Sequence, residues 1–217
     1  MIKSYLLGLS TILCFLLMPV QALASEEDAN EFGIPQEIYL QYKHAYDNYT
    51  DKRLFAVSDS MLIQYQEQKE PIYLLLSYVL LHIYYYFEDD VDNFENTIKK
   101  GKELAQELNQ TGLYYLLSAT EITFNLYVTQ LQFSALQQAR ELIAKAEETG
   151  NPSAMYLSTY ALGCAYYLRC NWQNAHDSFK RAAEYIIHYG LTDLESALSS
   201  IYVMMGLCQY GTAPYAE

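Results

Sequence analysis

The sequence predicts an all-α protein made of antiparallel helix hairpins. Apolar residues after position 34 recur at i, i+3, i+4 and i+7, as in Ala175, Phe179, Ala182 and Ile186, which is the spacing of an amphipathic helix. No segment alternates apolar and polar residues for long enough to favour a β-strand. Turn signals rich in Gly, Pro and Asn precede helix starts near positions 35, 71, 112, 152 and 192. This regularity indicates a repeat of about 40 residues.

The composition favours a folded chain and argues against a nucleic-acid partner. The 217 residues carry a formal net charge of −13, are 52% hydrophobic and 15% aromatic, and include 23 tyrosines. A disordered chain would be poor in aromatic residues. Binding to nucleic acid requires a surface rich in Lys and Arg, and acidic residues outnumber basic ones here by 26 to 13.

Residues 1–24 have the three parts of a secretory signal peptide. Lys3 supplies a positive start, residues 6–20 form an apolar run, and Ala22-Leu23-Ala24 is a cleavage site of the A-x-A type. The run is shorter than the roughly 20 residues that span a bilayer, and Cys14 lies too early in it for a typical lipid anchor. We therefore expect cleavage after Ala24, export, most simply to a bacterial periplasm, and no membrane insertion of the mature segment.

The remaining chain divides into a short acidic leader, residues 25–34, and a helical repeat domain, residues 35–217. Breaks inside each unit, for example around residues 88–90 and 169–171, separate a first from a second helix and give about four and a half hairpins. The last unit offers one helix, residues 194–210, without a partner helix. It is either a terminal cap or a sign that the chain is a fragment of a longer protein, and the apolar outer face favours the fragment.

The fourth unit resembles the tetratricopeptide repeat. The resemblance is carried by Leu162-Gly163-x-x-Tyr166 and Ala175-x-x-x-Phe179-x-x-Ala182. In that family the Gly and Ala positions let two helices approach closely while the large residues fill the gap, so Gly163 and Ala175 are expected to meet. The resemblance implies a right-handed superhelical solenoid. The period exceeds the family's 34 residues by about six, so we also expect longer helices or turns than in that family.

A tyrosine recurs once in each of the first four units. Tyr46, Tyr86, Tyr127 and Tyr167 follow one another at the repeat interval of about 40 residues. In the tetratricopeptide pattern the residue after the packed tyrosine tends to face the concave groove, so the resemblance implies that these four line it. Phe124 and Tyr160 are expected on the same face. The alternative is that all of them are half-buried contacts between repeats.

No catalytic or metal-binding motif is recognisable. The sequence contains no HExxH, no Gly-rich phosphate loop and no G-x-S-x-G, so we expect no cofactor, no metal and no enzymatic activity. His82 is interpreted as a core or groove histidine with satisfied nitrogens. The acidic run at residues 88–92 is interpreted as helix capping rather than a calcium site. Cys164, Cys170 and Cys208 are interpreted as small buried residues, with a Cys164–Cys208 bridge as the alternative.

Stacked helix hairpins usually bind extended segments of other proteins. The leading hypothesis is therefore an exported binding module for a peptide or protein partner. The resemblance extends to the exported sensor regions of bacterial signalling proteins, including sensor histidine kinases, so the module would sense or scaffold. The alternatives are a small-molecule receptor with an aromatic pocket and, last, an exported enzyme with scattered site residues. The sequence leaves the ligand and the oligomeric state open.

Overall fold

The computed structural model describes residues 34–47, 53–191 and 195–212, so the expected signal peptide and most of the acidic leader lie outside it. The described residues form nine α-helices and no strand. The helices are α1 (Gln36–Asp47), α2 (Arg53–Gln68), α3 (Pro71–Phe87), α4 (Val91–Glu107), α5 (Thr111–Tyr127), α6 (Gln132–Thr149), α7 (Pro152–Leu168), α8 (Trp172–Tyr189) and α9 (Glu195–Thr212). Among these described helices, none is both long enough and apolar enough to cross a bilayer.

The all-α prediction is confirmed for the described residues, and the helix starts agree closely with the turn signals. The odd-numbered helices α1, α3, α5 and α7 begin at residues 36, 71, 111 and 152, against the predicted 35, 71, 112 and 152. Pro71 and Pro152 stand at the first helical position, where the missing N–H costs nothing. The turn signal near position 192 lies outside the described residues.

The repeat is also visible in the backbone. Seven of the described residues between helices have φ between 54° and 63°, in the left-handed region. They recur in two series, each with an interval of about 40 residues. One series follows even-numbered helices and consists of Lys69, Asn109, Gly150 and Gly190, and the other follows odd-numbered helices and consists of Asp89, Gln130 and Cys170. Such a residue ends a helix and turns the chain back, so the described turns reverse the chain direction at equivalent positions of successive repeats.

The turn between α3 and α4 shows how local sequence sets this reversal. The amide of Asp90 donates to the carbonyl oxygen of Tyr85 at 3.0 Å across the left-handed Asp89, which satisfies a carbonyl at the end of α3. The Asp90 carboxylate accepts a 3.2 Å hydrogen bond from the amide of Asn93 and caps α4. The capping interpretation of the acidic run is confirmed for Asp90.

The described chain groups into two compact units, residues 34–117 and residues 118–212, and the division falls inside α5. In the N-terminal unit, α3 is the central helix because its side chains are buried nearly all around its axis. Ser77 on α3 and Ser58 on α2 satisfy each other in this core through a hydroxyl–hydroxyl contact of 2.9 Å.

In the C-terminal unit, α7 is the central helix and packs antiparallel against α8. A Cβ placed on Gly163 would lie 2.7 Å from the ring of Phe179, so the absent side chain is what lets this ring sit against the α7 backbone. Ala175 and Ala182 are fully buried on α8. The expected meeting of Gly163 with Ala175 stays a prediction, because the three atoms nearest to a Cβ on Gly163 all belong to the Phe179 ring, one helical turn further along α8.

Candidate functional site

The predicted tyrosines of the N-terminal unit are buried. Tyr46 is 2% exposed and Tyr86 is 7% exposed. The Tyr86 ring packs edge-on against Phe94 of α4, with 6.0 Å between the ring centroids. The expectation that these two residues line an accessible groove is wrong, because their rings fill the contacts between helices.

The predicted groove residues of the C-terminal unit are mostly core residues too. Phe124 and Tyr160 are 1% and 0% exposed, and the Tyr160 ring lies 5.4 Å from that of Phe179. Tyr127 and Tyr167 are half-buried. The hydroxyl oxygen of Tyr127 is itself buried, and the Tyr167 ring packs edge-on against Trp172 at 5.1 Å. Of the four predicted groove residues in this unit, Tyr167 is the one that is partly exposed and whose hydroxyl group is not buried.

The error has a simple geometric cause. On α3, Tyr85 is half-buried and the next residue, Tyr86, is buried. On α7, Tyr166, which belongs to the repeat motif, and Tyr167 are both half-buried. Adjacent residues on an α-helix differ by about 100° around the axis. Assigning the residue after the packed tyrosine to the accessible side was therefore wrong on α3, where Tyr86 is more buried than Tyr85.

Two arginine–aromatic pairs lie side by side between α6 and α7. The guanidinium carbon of Arg169 lies 4.2 Å from the ring centroid of Phe133, and that of Arg140 lies 5.8 Å from the ring centroid of Tyr166. Arg140 also donates a hydrogen bond of 3.3 Å to the Tyr166 hydroxyl. We call these four residues, Phe133, Arg140, Tyr166 and Arg169, the arginine–aromatic surface.

Helix geometry explains why the two pairs share one surface. Phe133 and Arg140 are seven residues apart on α6, which is two helical turns, and Tyr166 and Arg169 are three residues apart at the end of α7. Because α6 and α7 run antiparallel, the start of α6 meets the end of α7. Phe133 is 80% exposed, Arg140 is exposed and Arg169 is half-buried, so an apolar ring and two guanidinium groups are at least partly accessible together.

The charges of this surface differ from those of the neighbouring helix. On α8, Arg181 is neutralised by Glu147, with 3.0 Å between the guanidinium nitrogen and the carboxylate oxygen. Among the described residues, neither Arg140 nor Arg169 forms an ion pair with a carboxylate. In a chain with twice as many acidic as basic residues, two unpaired guanidinium groups resting on aromatic rings can each hold a carboxylate or another planar anion.

Sequence reasoning missed this surface although a signal was present. Phe133 is a large apolar residue in the first turn of α6, and Arg140 follows one heptad later, which places both on one helix face. Arg169 stands in the turn after α7. The sequence does not show that this turn lies beside Phe133, because that contact depends on how α6 and α7 pack.

A second cluster, in the core of the C-terminal unit, is chemically inert. The hydroxyl groups of Tyr127 and Tyr160 lie beside the Cys164 thiol, and Cys208 of α9 is close enough to act on it electrostatically. Burial raises the pKa of the Cys164 thiol to about 12 and that of Cys208 to about 11. A thiol with such a pKa holds almost no thiolate at neutral pH, so neither sulfur is an active nucleophile. All three described cysteines are free.

His82 of α3 lies in the core between α3 and α4, as expected, but its ring nitrogens lack hydrogen-bond partners. The ring is 0% exposed and packs 6.4 Å from the ring of Phe94. Neither nitrogen has a hydrogen-bond partner of acceptable geometry. Burial lowers the pKa of His82 to about 4, against the weaker opposing effect of the Tyr78 and Val79 carbonyl groups. The interpretation as a satisfied histidine is therefore wrong.

Within the part of the chain that the structure describes, no group of three or more His, Cys, Asp and Glu side chains is arranged to hold a metal ion. The arginine–aromatic surface is thus the accessible cluster with the clearest chemical character. No protein-family model, curated protein or solved structure matches this chain.

Proposed function

We propose that the protein is a helical-repeat binding module, similar to tetratricopeptide proteins, and that the arginine–aromatic surface recognises a segment of a peptide or protein partner. The single observation that carries this proposal is the pair of guanidinium groups on Arg140 and Arg169, which lie over aromatic rings and have no carboxylate partner among the described residues. Solvent-accessible arginines next to aromatic rings are the kind of residues that dominate binding energy in protein interfaces.

The chemistry of the surface specifies the partner segment. A carboxylate can form paired hydrogen bonds with a guanidinium group, and an apolar side chain next to it can cover the ring of Phe133. Because the chain carries a net charge of −13, a strongly acidic partner would be repelled at long range. The partner segment we propose has one or two carboxylates beside an apolar residue and is neutral or basic elsewhere.

Export fits this role and is part of the proposal. We propose that residues 1–24 direct the chain out of the cytoplasm and that the module acts as the sensor or scaffold part of a bacterial signalling protein. The support is the three-part pattern of the leader. Mass spectrometry of the secreted protein should give a mature chain that starts at Ser25. An intact N-terminus at Met1 would contradict the export proposal and leave the binding proposal unaffected.

A displayed random-peptide library tests the binding proposal directly. Peptides selected on the parent protein should be enriched in a carboxylate next to an aromatic or aliphatic residue. The double variant Arg140→Gln with Arg169→Gln should weaken binding of the selected peptides at least about tenfold, because it removes both charges while keeping a polar side chain at each position.

Arg181→Gln is the matched control, since it removes a surface arginine that is already paired with Glu147. It should leave the affinity unchanged within about twofold. Equal binding by the parent and the double variant, or selected peptides without acidic residues, would refute this assignment of the surface.

A further inference from the structure

Helix α9 carries an apolar face that the described residues leave uncovered. Four large side chains on it are between 44% and 81% exposed: Tyr202, Val203, Leu207 and Tyr210. Gly206 lies between them, and a Cβ placed on it would meet no atom within 4 Å. The opposite face of α9, with Ile201, Met204 and Cys208, is buried in the C-terminal unit. Five neighbouring positions thus form one continuous accessible strip.

The repeat register shows what kind of element fits this strip. Val203 and Leu207 occupy the positions on α9 that lie one repeat, about 40 residues, after Gly163 and Tyr167 of α7. On α7 those two positions pack against the next helix, α8, because Gly163 contacts Phe179 and Tyr167 contacts Trp172. The exposed strip of α9 therefore corresponds to the surface of α7 that packs against α8.

The strip also lacks charge. Residues 196–212 contain no Asp, Glu, Lys or Arg, although the chain as a whole carries a net charge of −13. Two copies of such an acidic protein repel each other wherever their charged surfaces meet. An uncharged apolar helix face is the place where two copies approach with the least repulsion and remove the most apolar area from water.

The strip is also self-complementary around Gly206. Tyr202 and Tyr210 lie four residues before and four residues after this glycine, on the same helix face. If two α9 helices cross antiparallel at Gly206, Tyr202 of each copy faces Tyr210 of the other. The missing side chain at the crossing point allows close approach of the two helices, and the contact satisfies the two-fold symmetry of an isologous interface.

We propose that the strip formed by Tyr202, Val203, Gly206, Leu207 and Tyr210 is a self-association surface, and that its occupant is α9 of a second copy of this chain. The dimer leaves the arginine–aromatic surface, which lies on α6 and α7, for the partner segment proposed above. Self-association does not depend on that binding function, since the two surfaces share no residue.

Analytical ultracentrifugation of the full chain tests this proposal. The parent should sediment as a dimer at about 100 μM, and the dimer fraction should rise with moderate salt because screening reduces the repulsion between acidic copies. The double variant Val203→Glu with Leu207→Glu should raise the dimer dissociation constant at least about tenfold, because it places two carboxylates in the contact. Both residues are exposed, so circular dichroism should show unchanged helix content.

Ile187→Glu is the matched control, since Ile187 is an apolar residue of α8 that is 60% exposed and lies outside the strip. It should leave the dimer intact. A parent that remains monomeric at about 100 μM would overturn the proposal and assign the strip to another occupant, such as a later segment of a longer chain. A dimer that survives the double variant would overturn it as well.

Discussion

The α-carbon of Gly163 faces the ring of Phe179 so closely that an added Cβ would lie 2.7 Å from Cε1 and 2.8 Å from Cδ1. Phe179 is fully buried, so its ring has little room to move away. The contact joins α7 and α8, the two helices of the fourth repeat, whose sequence resembles a tetratricopeptide repeat. It makes position 163 sensitive to the addition of a single methyl group.

Gly163→Ala should lower the free energy of unfolding of the C-terminal unit by about 1 kcal/mol or more. Overpacking a tight contact costs about 1–3 kcal/mol, whereas replacing a glycine inside a helix returns at most about 1 kcal/mol. Trp172 is the single tryptophan of the chain and lies in this unit, so its fluorescence during urea unfolding is the appropriate measurement.

Gly101→Ala in the N-terminal unit is the control for that prediction. An added Cβ there would lie 2.8 Å from Cδ1 of Leu117. Leu117 is as buried as Phe179, but the contact is with the end of a flexible side chain, which adjusts more easily than a rigid ring. We expect a change in stability within about 0.5 kcal/mol, because the small strain and the better helix propensity of alanine offset each other. Equal losses in the two variants would show that the ring contact is not what makes Gly163 sensitive.

Gly150→Ala should destabilise the protein by about 1 kcal/mol through backbone conformation alone. Gly150 has φ of 63°, and no atom lies within 4 Å of the position that the new Cβ would take. An L-residue in the left-handed region is disfavoured by about 1–2 kcal/mol, so the loss has no steric component from neighbouring groups. Gly190, with φ of 57° and the same open surroundings, should give a matching loss. Thermal midpoints by circular dichroism measure both variants, and an unchanged midpoint in either would contradict the assignment.

The fold was largely predictable from the sequence because helix ends carry local signals. Pro71, Pro152, Gly150 and Gly190 mark helix boundaries by the backbone angles that they favour. Other boundaries could not be identified in this way. Cys170, for example, adopts a left-handed φ of 54° although cysteine has no preference for turns, and only its place in the repeat period identifies it.

The site was not predictable because the sequences of the central helices do not show which face of each helix is buried. On α7, Tyr160 is fully buried, whereas Tyr166 and Tyr167 are both half-buried. A helix that is apolar nearly all around lacks the polar face that would fix its rotation in a sequence pattern. The predicted tyrosine ladder therefore had the right period and the wrong face, and the accessible arginines could be located only after α6 and α7 were packed.

Cysteine reactivity distinguishes the buried thiols from the exposed one. Cys170 is exposed, whereas Cys164 and Cys208 are fully buried, and burial raises the pKa of both buried thiols to about 11 or 12. In the native protein at neutral pH, a maleimide reagent should modify Cys170 at least about a hundredfold faster than the other two, because Cys170 is accessible, whereas burial both shields Cys164 and Cys208 and suppresses their thiolate forms. Peptide mapping by mass spectrometry identifies the modified sites.

Denaturant provides the control for the cysteine prediction. In the unfolded chain all three thiols should react at similar rates, since burial no longer shields Cys164 and Cys208 or raises their pKa. Rapid native modification of Cys164 would mean that the core of the C-terminal unit opens readily.

The buried His82 should make the N-terminal unit sensitive to mild acid. The pKa of His82 is about 4 in the folded protein and about 6.5 in an unfolded chain. Below about pH 6.5 the unfolded chain therefore binds a proton that the folded protein excludes, so the free energy of unfolding decreases as the pH falls. The contribution of His82 to stability is fully present above about pH 6.5 and is lost progressively down to about pH 4. From the difference in pKa, the loss is about 2 kcal/mol by pH 5 and on the order of 3 kcal/mol by pH 4.

Urea unfolding at pH 7 and pH 5, followed by circular dichroism, measures this loss. Many carboxylates also titrate in acid, so the informative quantity is the difference between the parent and His82→Leu, which removes the buried titratable ring and keeps an apolar side chain in the seam. His82→Leu should lose about 2 kcal/mol less than the parent between the two pH values. His188→Gln removes a histidine that is exposed on α8 and should retain the acid sensitivity of the parent. If the parent and His82→Leu lost the same stability, then His82 would be hydrated or charged in the folded protein, and the seam of α3 and α4 would be open to water.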